Sequence, residues 1–281
     1  MLVLRFLNVV APAYFLCISC VTFVLQLFLF IPSMFKDPSA TPLFCSSALL
    51  HGALFLFLSA NALGNYILVI QNTPEDLSNG MNWVGGGGGG ADGVAPDWPD
   101  GSCPPGSALP NTHFCRLCAR VTQRHDHHCF FTGNCIGSRN MRNFVMFCLY
   151  TALACLDSLV AGVAYISTVL STSFANPLAF LTLLPQSISQ FFSGALLSSE
   201  MFVILMLYLW LGIGLACAGF CCHQMLLILR GQTRYQVRKG VAARARPWKK
   251  NLEEVFGKRW LLGLLIPVFN VGSDYHRQKE K

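Results

Sequence analysis

The fold class this sequence predicts is an all-α polytopic membrane protein: four transmembrane helices, with a small Cys-rich cytoplasmic domain between the second and the third. Three observations carry that expectation. Apolar residues make up 53% of the 281 and charged residues only 12%, about half the usual charged share. Four apolar stretches reach the roughly 20 residues that a helix needs to cross a hydrocarbon core of about 30 Å. The basic residues, 20 Lys and Arg against 13 Asp and Glu, are gathered in few places. A water-soluble globule needs more surface charge than this, and a disordered chain needs less apolar content. Both classes are excluded.

The four stretches are residues 9–31, 43–70, 144–170 and 201–229. The last is the cleanest, with nothing charged over 201–222, whereas the second carries His51, Asn61 and Asn65. The first is too long for the apolar core of a signal peptide, has only Arg5 as a basic flank, and is followed by no small-residue cleavage site. A fifth patch, 177–197, is interrupted by Pro185, Gln186, Ser187, Ser189 and Gln190 and reads as a loop or re-entrant segment rather than a span. Cytoplasmic loops carry the Lys/Arg excess. Residues 230–281 hold 13 of the 20 and residues 71–143 hold five, whereas 171–200 holds none and 31–42 only Lys36. Four spans therefore put both termini and the 71–143 loop in the cytoplasm.

The chain divides accordingly: helices 1 and 2 over 1–70, a Gly/Pro-rich flexible linker over 71–112, a Cys-rich domain over 113–143, helices 3 and 4 with a lumenal connection over 144–229, and a basic tail over 230–281. The linker contains the run Gly85 to Gly90 and has almost nothing from which to build a core.

Of 13 cysteines, most lie in or beside apolar spans, where a free Cys is a small hydrophobe. The informative ones are Cys115, Cys118, Cys129 and Cys135. On the reducing side of the membrane they are not expected to form disulfides. Cys115-x2-Cys118 is a zinc-knuckle spacing, which brings two sulfurs to one ion through a tight turn. Tetrahedral closure needs two more ligands from His125, His127, His128, Cys129 and Cys135. If all four thiolates close the site, it is a structural one with the histidines outside it. If one His replaces Cys129, a free cysteine is left beside a spare His and Asp126, which is what a thiol nucleophile requires: a thiolate, a base and a carboxylate to orient the base. Spacing alone admits both.

Asp126-His127-His128-Cys129 resembles the signature tetrapeptide of the DHHC-type zinc-finger protein palmitoyltransferases. The likeness extends through Cys135, Asn140 and Phe144, to Asn251-Leu-Glu-Glu-Val-Phe-Gly257 in the tail, and to the four-span topology. It covers nearly the whole chain apart from the linker. The resemblance implies that Cys129 is the acylated nucleophile, His127 its base and Asp126 the residue orienting that base. It implies zinc on Cys115, Cys118, His128 and Cys135. A second finger common in the family is not intact: Val121 and Phe114 stand where ligands are expected, and only Cys103 is near the missing upstream pair. One structural zinc ion is therefore expected. Phe130-Phe131 also replaces the usual Pro-Trp.

The implied activity moves palmitate from palmitoyl-CoA to cysteines of membrane-associated substrate proteins by a ping-pong acyl-enzyme route. The alternative is a catalytically weak membrane scaffold of the same architecture. A transporter would call for more paired polar groups inside the spans than Asp157, His51 and a few Asn supply. Zinc with three thiolates and one imidazole carries a net charge near −1, which opposes a neighbouring thiolate. The finger is thus a clamp, and activation of Cys129 falls to His127 and Asp126. The acyl donor partitions into the lipid bilayer at about 0.8 kcal/mol per CH2. Arg116, Arg120 and Arg124 are within reach of coenzyme A phosphates, although positive-inside topology explains most such charges. No residues are assigned to donor binding, and no nucleic-acid partner is expected.

Smaller features complete the reading. Residues 251–261 place Leu252, Val255, Phe256, Trp260 and Leu261 at helical spacing, as an interfacial or packing helix, with Asn251 capping it or bracing the site. Asp157 in the third span reads as a hydrogen-bonded structural carboxylate. Cys221 and Cys222 are by default buried hydrophobes. Thr233 is all that survives of a family motif at the exit of the fourth span. Arg277-Gln-Lys-Glu-Lys281 resembles a dilysine-type retrieval signal, with a solvated tail as the alternative. The expected location is the endoplasmic reticulum, the Golgi or both.

Overall fold

The computed structural model describes residues 2–35, 42–74, 112–169, 174, 176, 178–243 and 246–258. Almost all of the 71–112 linker, Cys103, Trp260, Leu261 and the 277–281 motif lie outside the described residues. Among those described, four helices are long and apolar enough to cross a membrane: Val3–Met34, Ser47–Gln71, Met141–Val169 and Ser198–Leu229. Each overlaps one expected span. A helix satisfies its backbone hydrogen bonds within itself, which is what a hydrocarbon environment demands.

The first span is composite. Helix α1 (Leu2–Leu25) passes into a π-helical turn (Gln26–Phe30) and then α2 (Ile31–Met34). Helix α3 is Pro42–Gln71, α4 is Met141–Val169, α5 is Ala179–Phe192 and α6 is Ser198–Leu229. Between α3 and α4 lie strands β1 (Thr112–Cys115), β2 (Arg120–Gln123), β3 (His127–Cys129) and β4 (Asn134–Ile136), paired as two antiparallel ribbons, β1 with β2 and β3 with β4. Short helices α7 (Arg234–Arg238) and α8 (Trp248–Phe256) follow α6. Among the described residues the membrane-capable segments are helical, and the Cys-rich segment adds the two ribbons.

The chain forms two compact units. One comprises Leu16–Ala62 and Cys148–Cys221. Its core gathers Phe30, Ala161, Ile166, Leu183, Ile204 and Trp210. Gly162 permits close helix approach, since a Cβ there would come 2.5 Å from Leu207 Cδ2, as small residues do between membrane helices. The Trp210 indole donates to Thr22 Oγ1 at 2.9 Å. Asp157 accepts from the Gln26 amide at 3.1 Å, and His51 Nδ1 is 3.9 Å from its other oxygen. Gln26, fully buried, opens the π-helical turn, and such turns accompany inward-facing polar groups. The patch at 177–197, expected as a loop or re-entrant segment, contains α5. At 14 residues the helix is about 21 Å long, too short to cross the bilayer.

The other unit comprises Met1–Phe15, Leu63–Phe147 and Cys222–Lys281. It contains both ribbons, the adjoining helix ends and the described part of the tail. Phe15, Tyr66 and Phe147 pack as a ring triad with centroids 4.7–5.4 Å apart, and the Tyr66 hydroxyl donates to the Phe131 carbonyl at 3.0 Å. Asn140, fully buried, donates to the carbonyls of Val69 and Cys135 and accepts from Gly137 N–H at 2.9 Å. Asn134 also donates to Val69 O, at 3.2 Å. Two asparagines thus fasten the β3–β4 ribbon to the end of α3. Asn251 lies on α8, where Pro247 rather than Asn251 takes the N-cap position. Its amide donates to Leu229 O at 3.0 Å, closing the end of α6.

Candidate functional site

Side chains alternate between the two faces of a strand. In β3 this alternation puts His127 and Cys129 on one face and His128 on the other. The ladder pairs His128 with Cys135, so those two side chains share a face. The β1–β2 turn supplies Cys115 and Cys118. The ligand-capable atoms of Cys115, Cys118, His128 and Cys135 all lie within 4.8 Å of one another. Cys129 is not among them. Of the two closures that spacing allowed, the geometry assembles the one with His128.

The donor set fits zinc. A tetrahedral ion with bonds of about 2.3 Å to sulfur and 2.0–2.1 Å to nitrogen separates its ligands by roughly 3.5–3.8 Å. Here Cys135 Sγ is 3.5 Å from Cys118 Sγ, and His128 Nδ1 lies 3.6, 3.3 and 3.8 Å from the sulfurs of Cys115, Cys118 and Cys135. Hydrogen bonds from Cys118 and Cys135 pull the Cys115 thiol far below its ordinary range, whereas Cys135, hydrogen-bonded to Cys115 and Cys118, is pushed far above it. Three thiols this close ionise together only around a cation. His128 Nε2 lies 2.8 Å from Asn8 Oδ1. A proton on Nε2 donated to that oxygen leaves Nδ1 free to ligate, the usual outer-shell arrangement for a metal-binding histidine.

The backbone carbonyl of Asn8 faces the same ribbon, and Pro12 lies one turn beyond it. Proline has no N–H, so the carbonyl four residues earlier, that of Asn8, loses its helical donor. Gly133, with φ +60°, sits against that carbonyl, and a Cβ there would be 3.2 Å from it. The β3–β4 turn can approach α1 only because this position is glycine.

On the opposite face of β3, Asp126 Oδ2 is 2.7 Å from His127 Nδ1, and His127 is hydrogen-bonded to Cys129. Burial opposes charge on all three groups, and hydrogen bonding outweighs it. His127 is raised to about 9 by Asp126 and Cys129, while Cys129 is lowered by His127 and by the hydroxyl and N–H of Thr132. Asp126 is likewise held below its usual range by His127, by the Arg234 N–H and by Gln224. The hydrogen bonds thus favour the charged form of each group: carboxylate on Asp126, imidazolium on His127 and thiolate on Cys129. The Phe144 ring stands edge-on to His127 at 5.1 Å.

Several supporting groups were not legible beforehand. Asp126 Oδ1 accepts from Arg234 N–H at 2.8 Å, a donor presented by the first turn of α7. Thr233 caps that helix in a capping box with Gln236, and Thr-x-x-Gln was the signal available for it. Thr132 carried no comparable signal, and neither did Asn8, which is 120 residues from His128 in sequence. His125, a candidate ligand, instead joins His113 and Tyr235 in a ring cluster, with Thr122 Oγ1 3.1 Å from its Nδ1. Burial, then His113, lowers His125 to about 4, so it is neutral. Phe114 and Val121, both buried, face each other across β1 and β2 as a hydrophobic pair. Arg124 is engaged in an ion pair with Glu254, while Arg116 and Arg120 are exposed.

Fold and site together define a multi-span membrane protein that carries a Cys/His cluster able to hold a metal, back to back with a cysteine hydrogen-bonded to a histidine that an aspartate holds. Residues 107–240 match the DHHC palmitoyltransferase family, and over its whole length the chain resembles proteins of that kind. It is 74% identical over 281 residues to the palmitoyltransferase ZDHHC22 of Mus musculus and 75% identical over 287 to that of Homo sapiens, covering 100% of each chain in both cases. Against the palmitoyltransferase ZDHHC22 of Danio rerio it is 47% identical over 266 residues, covering 94% of this chain and 92% of the relative. The chain belongs to the DHHC palmitoyltransferase family, whose members are protein-cysteine S-acyltransferases.

Proposed function

We propose that the chain transfers palmitate from palmitoyl-CoA to cysteines of membrane-associated proteins in two thioester exchanges through Cys129. The observation that carries this reading is the position of Cys129: outside the metal cradle, hydrogen-bonded to His127, with Asp126 behind. In the first exchange the Cys129 thiolate attacks the donor's thioester carbonyl. The carbon–sulfur bond to coenzyme A breaks, and His127 gives its proton to the leaving thiolate. In the second, a substrate thiol passes its proton to His127, and its sulfur attacks the acyl group on Cys129. The Cys129–acyl bond breaks and the thiolate–imidazolium pair is restored. Both exchanges trade one thioester for another, so no further energy source enters.

Cys115, Cys118, His128 and Cys135 hold one zinc ion in this reading. Bound there, zinc supplies a structural cross-link between the two ribbons. The loaded cluster's net charge near −1 does not help to form a further thiolate, which leaves that task to His127. Asp126 keeps the imidazole oriented with its other nitrogen toward Cys129, and the Arg234 N–H and Gln224 keep Asp126 in place.

The Lys/Arg distribution supports placing both termini and the site on the cytoplasmic side, where acyl-CoA and substrate cysteines are present. Residence in the endoplasmic reticulum or Golgi belongs to the same proposal. The test is incubation of purified protein with labelled palmitoyl-CoA. Hydroxylamine-labile label on Cys129, absent from Cys129→Ser, is the expected result. Label that persists in that variant at the wild-type level overturns the assignment.

A further inference from the structure

Helix α5 has three faces, and only two are accounted for by protein and water. Its first face packs inward: Leu183 and Ser187 are buried, and the Tyr208 hydroxyl of α6 donates to Phe180 O while accepting from Leu184 N–H at 3.1 Å. An α-helix would join that N–H to that carbonyl directly. Tyr208 thus bonds both groups of one helical rung, one residue before Pro185, and so anchors α5 along α6. The second face is Thr182, Gln186, Ser189, Gln190 and Ser193, all exposed. It is polar but uncharged, and no charged residue occurs anywhere from 171 to 199.

The third face is Leu181, Pro185, Ile188 and Phe192, spaced four, three and four apart. At about 100° per residue these fall within an arc of roughly 60°, and all four are exposed, Leu181 by 73% and Phe192 by 83%. Leu178 and Leu197, beyond the two ends of the helix, are exposed apolar side chains too, as are Phe202 and Leu205 on α6. Only five residues separate α5 from α6, a membrane-capable helix. A stripe four side chains long and one wide is far smaller than the roughly 800 Å² per partner of a stable protein interface, which argues against a second copy or another protein as its cover.

We propose that α5 is a membrane-interface anchor, its Leu181–Pro185–Ile188–Phe192 stripe seated in the acyl and headgroup boundary and its Ser/Thr/Gln face in water. Most interfacial helices add cationic attraction to anionic lipid. This one carries no charge, so apolar burial alone holds it, and the lipid it takes is neutral. The helix thereby fixes the connection between the third and fourth spans at the membrane surface.

Full-length protein reconstituted in phosphatidylcholine vesicles, with a benzophenone amino acid at position 192, at 181 or at 189, tests this. Retained self-acylation reports folding of each variant. Irradiation is expected to give phosphatidylcholine adducts at 192 and 181 at severalfold the yield at 189, unchanged when anionic lipid is added or salt is raised. Cross-links to a second copy at 192 and 181, equal lipid yields at all three positions, or a yield that climbs with anionic lipid would each overturn the proposal.

Discussion

Replacing His127 by Ala is the most direct way to separate the two faces of β3. His127 lies 2.7 Å from Asp126 and is hydrogen-bonded to Cys129. The variant removes the leading group that holds the Cys129 thiol below its ordinary 9.0, leaving burial to push it upward. At pH 7.4 a thiol of pKa 9.0 is only about one-fortieth thiolate. Self-acylation should therefore fall at least tenfold. The greater nucleophilicity of a more basic thiolate offsets part of that loss, while burial of the unpartnered thiol deepens it. The pH dependence gives the sign. With Cys129 lowered and His127 held protonated up to about 9, the native rate should rise less steeply than the variant's from pH 7 to 8.5. The variant's rate should climb about tenfold per pH unit over the same range. Initial rates of acyl-enzyme formation across that range, with zinc content measured on the same samples, decide the matter. A native rate that climbs in step with the variant's would refute the resting ion pair. Loss of zinc from the variant would show that the roles of His127 and His128 have been exchanged.

Asn8→Leu should lower zinc affinity about 10- to 100-fold, because His128 Nε2 loses its partner; chelator competition measures this, and unchanged retention would count against it. Gly133→Ala should destabilise the site unit by about 1–2 kcal/mol, since it combines a left-handed backbone with a Cβ 3.2 Å from Asn8 O; thermal unfolding reports it, and a neutral result would mean that the β3–β4 turn can shift freely. Thr233→Ala removes a helix cap worth about 1 kcal/mol and loosens the Arg234 N–H that holds Asp126, so acylation should fall while zinc stays bound, whereas zinc loss would place α7 in the metal framework instead. Metal analysis of the native protein should return one zinc per chain, and two would mean that Phe114 and Val121 do not mark a lost site.

Much of this was legible from local pattern. The four spans follow from run length and the absence of charge, because a bilayer selects for those properties whatever the tertiary arrangement. The Cys-x2-Cys knuckle, and the grouping of His127, His128 and Cys129 within three residues, advertise their chemistry because metal ligation and thiol activation each need donor atoms within a few ångströms. The segment at 177–197 was harder. Pro185 and its polar neighbours argued for a loop or re-entrant segment, yet the segment holds a helix, and Tyr208, distant in sequence, bonds the Phe180 carbonyl and the Leu184 N–H beside the proline.

By itself, then, the amino-acid order determined the class of protein and the pool of reactive side chains. Which of them meet was decided only by folding. Strand alternation in β3, with the His128–Cys135 register, sends one histidine to the cradle and the other to the cysteine, and nothing in the spacing of a linear chain encodes that division. Asn8, Thr132, Arg234 N–H and Gln224 complete the site from α1, the β3–β4 turn, α7 and α6. Their contributions depend on positions and directions in space, which arise only when the helix ends and ribbons pack.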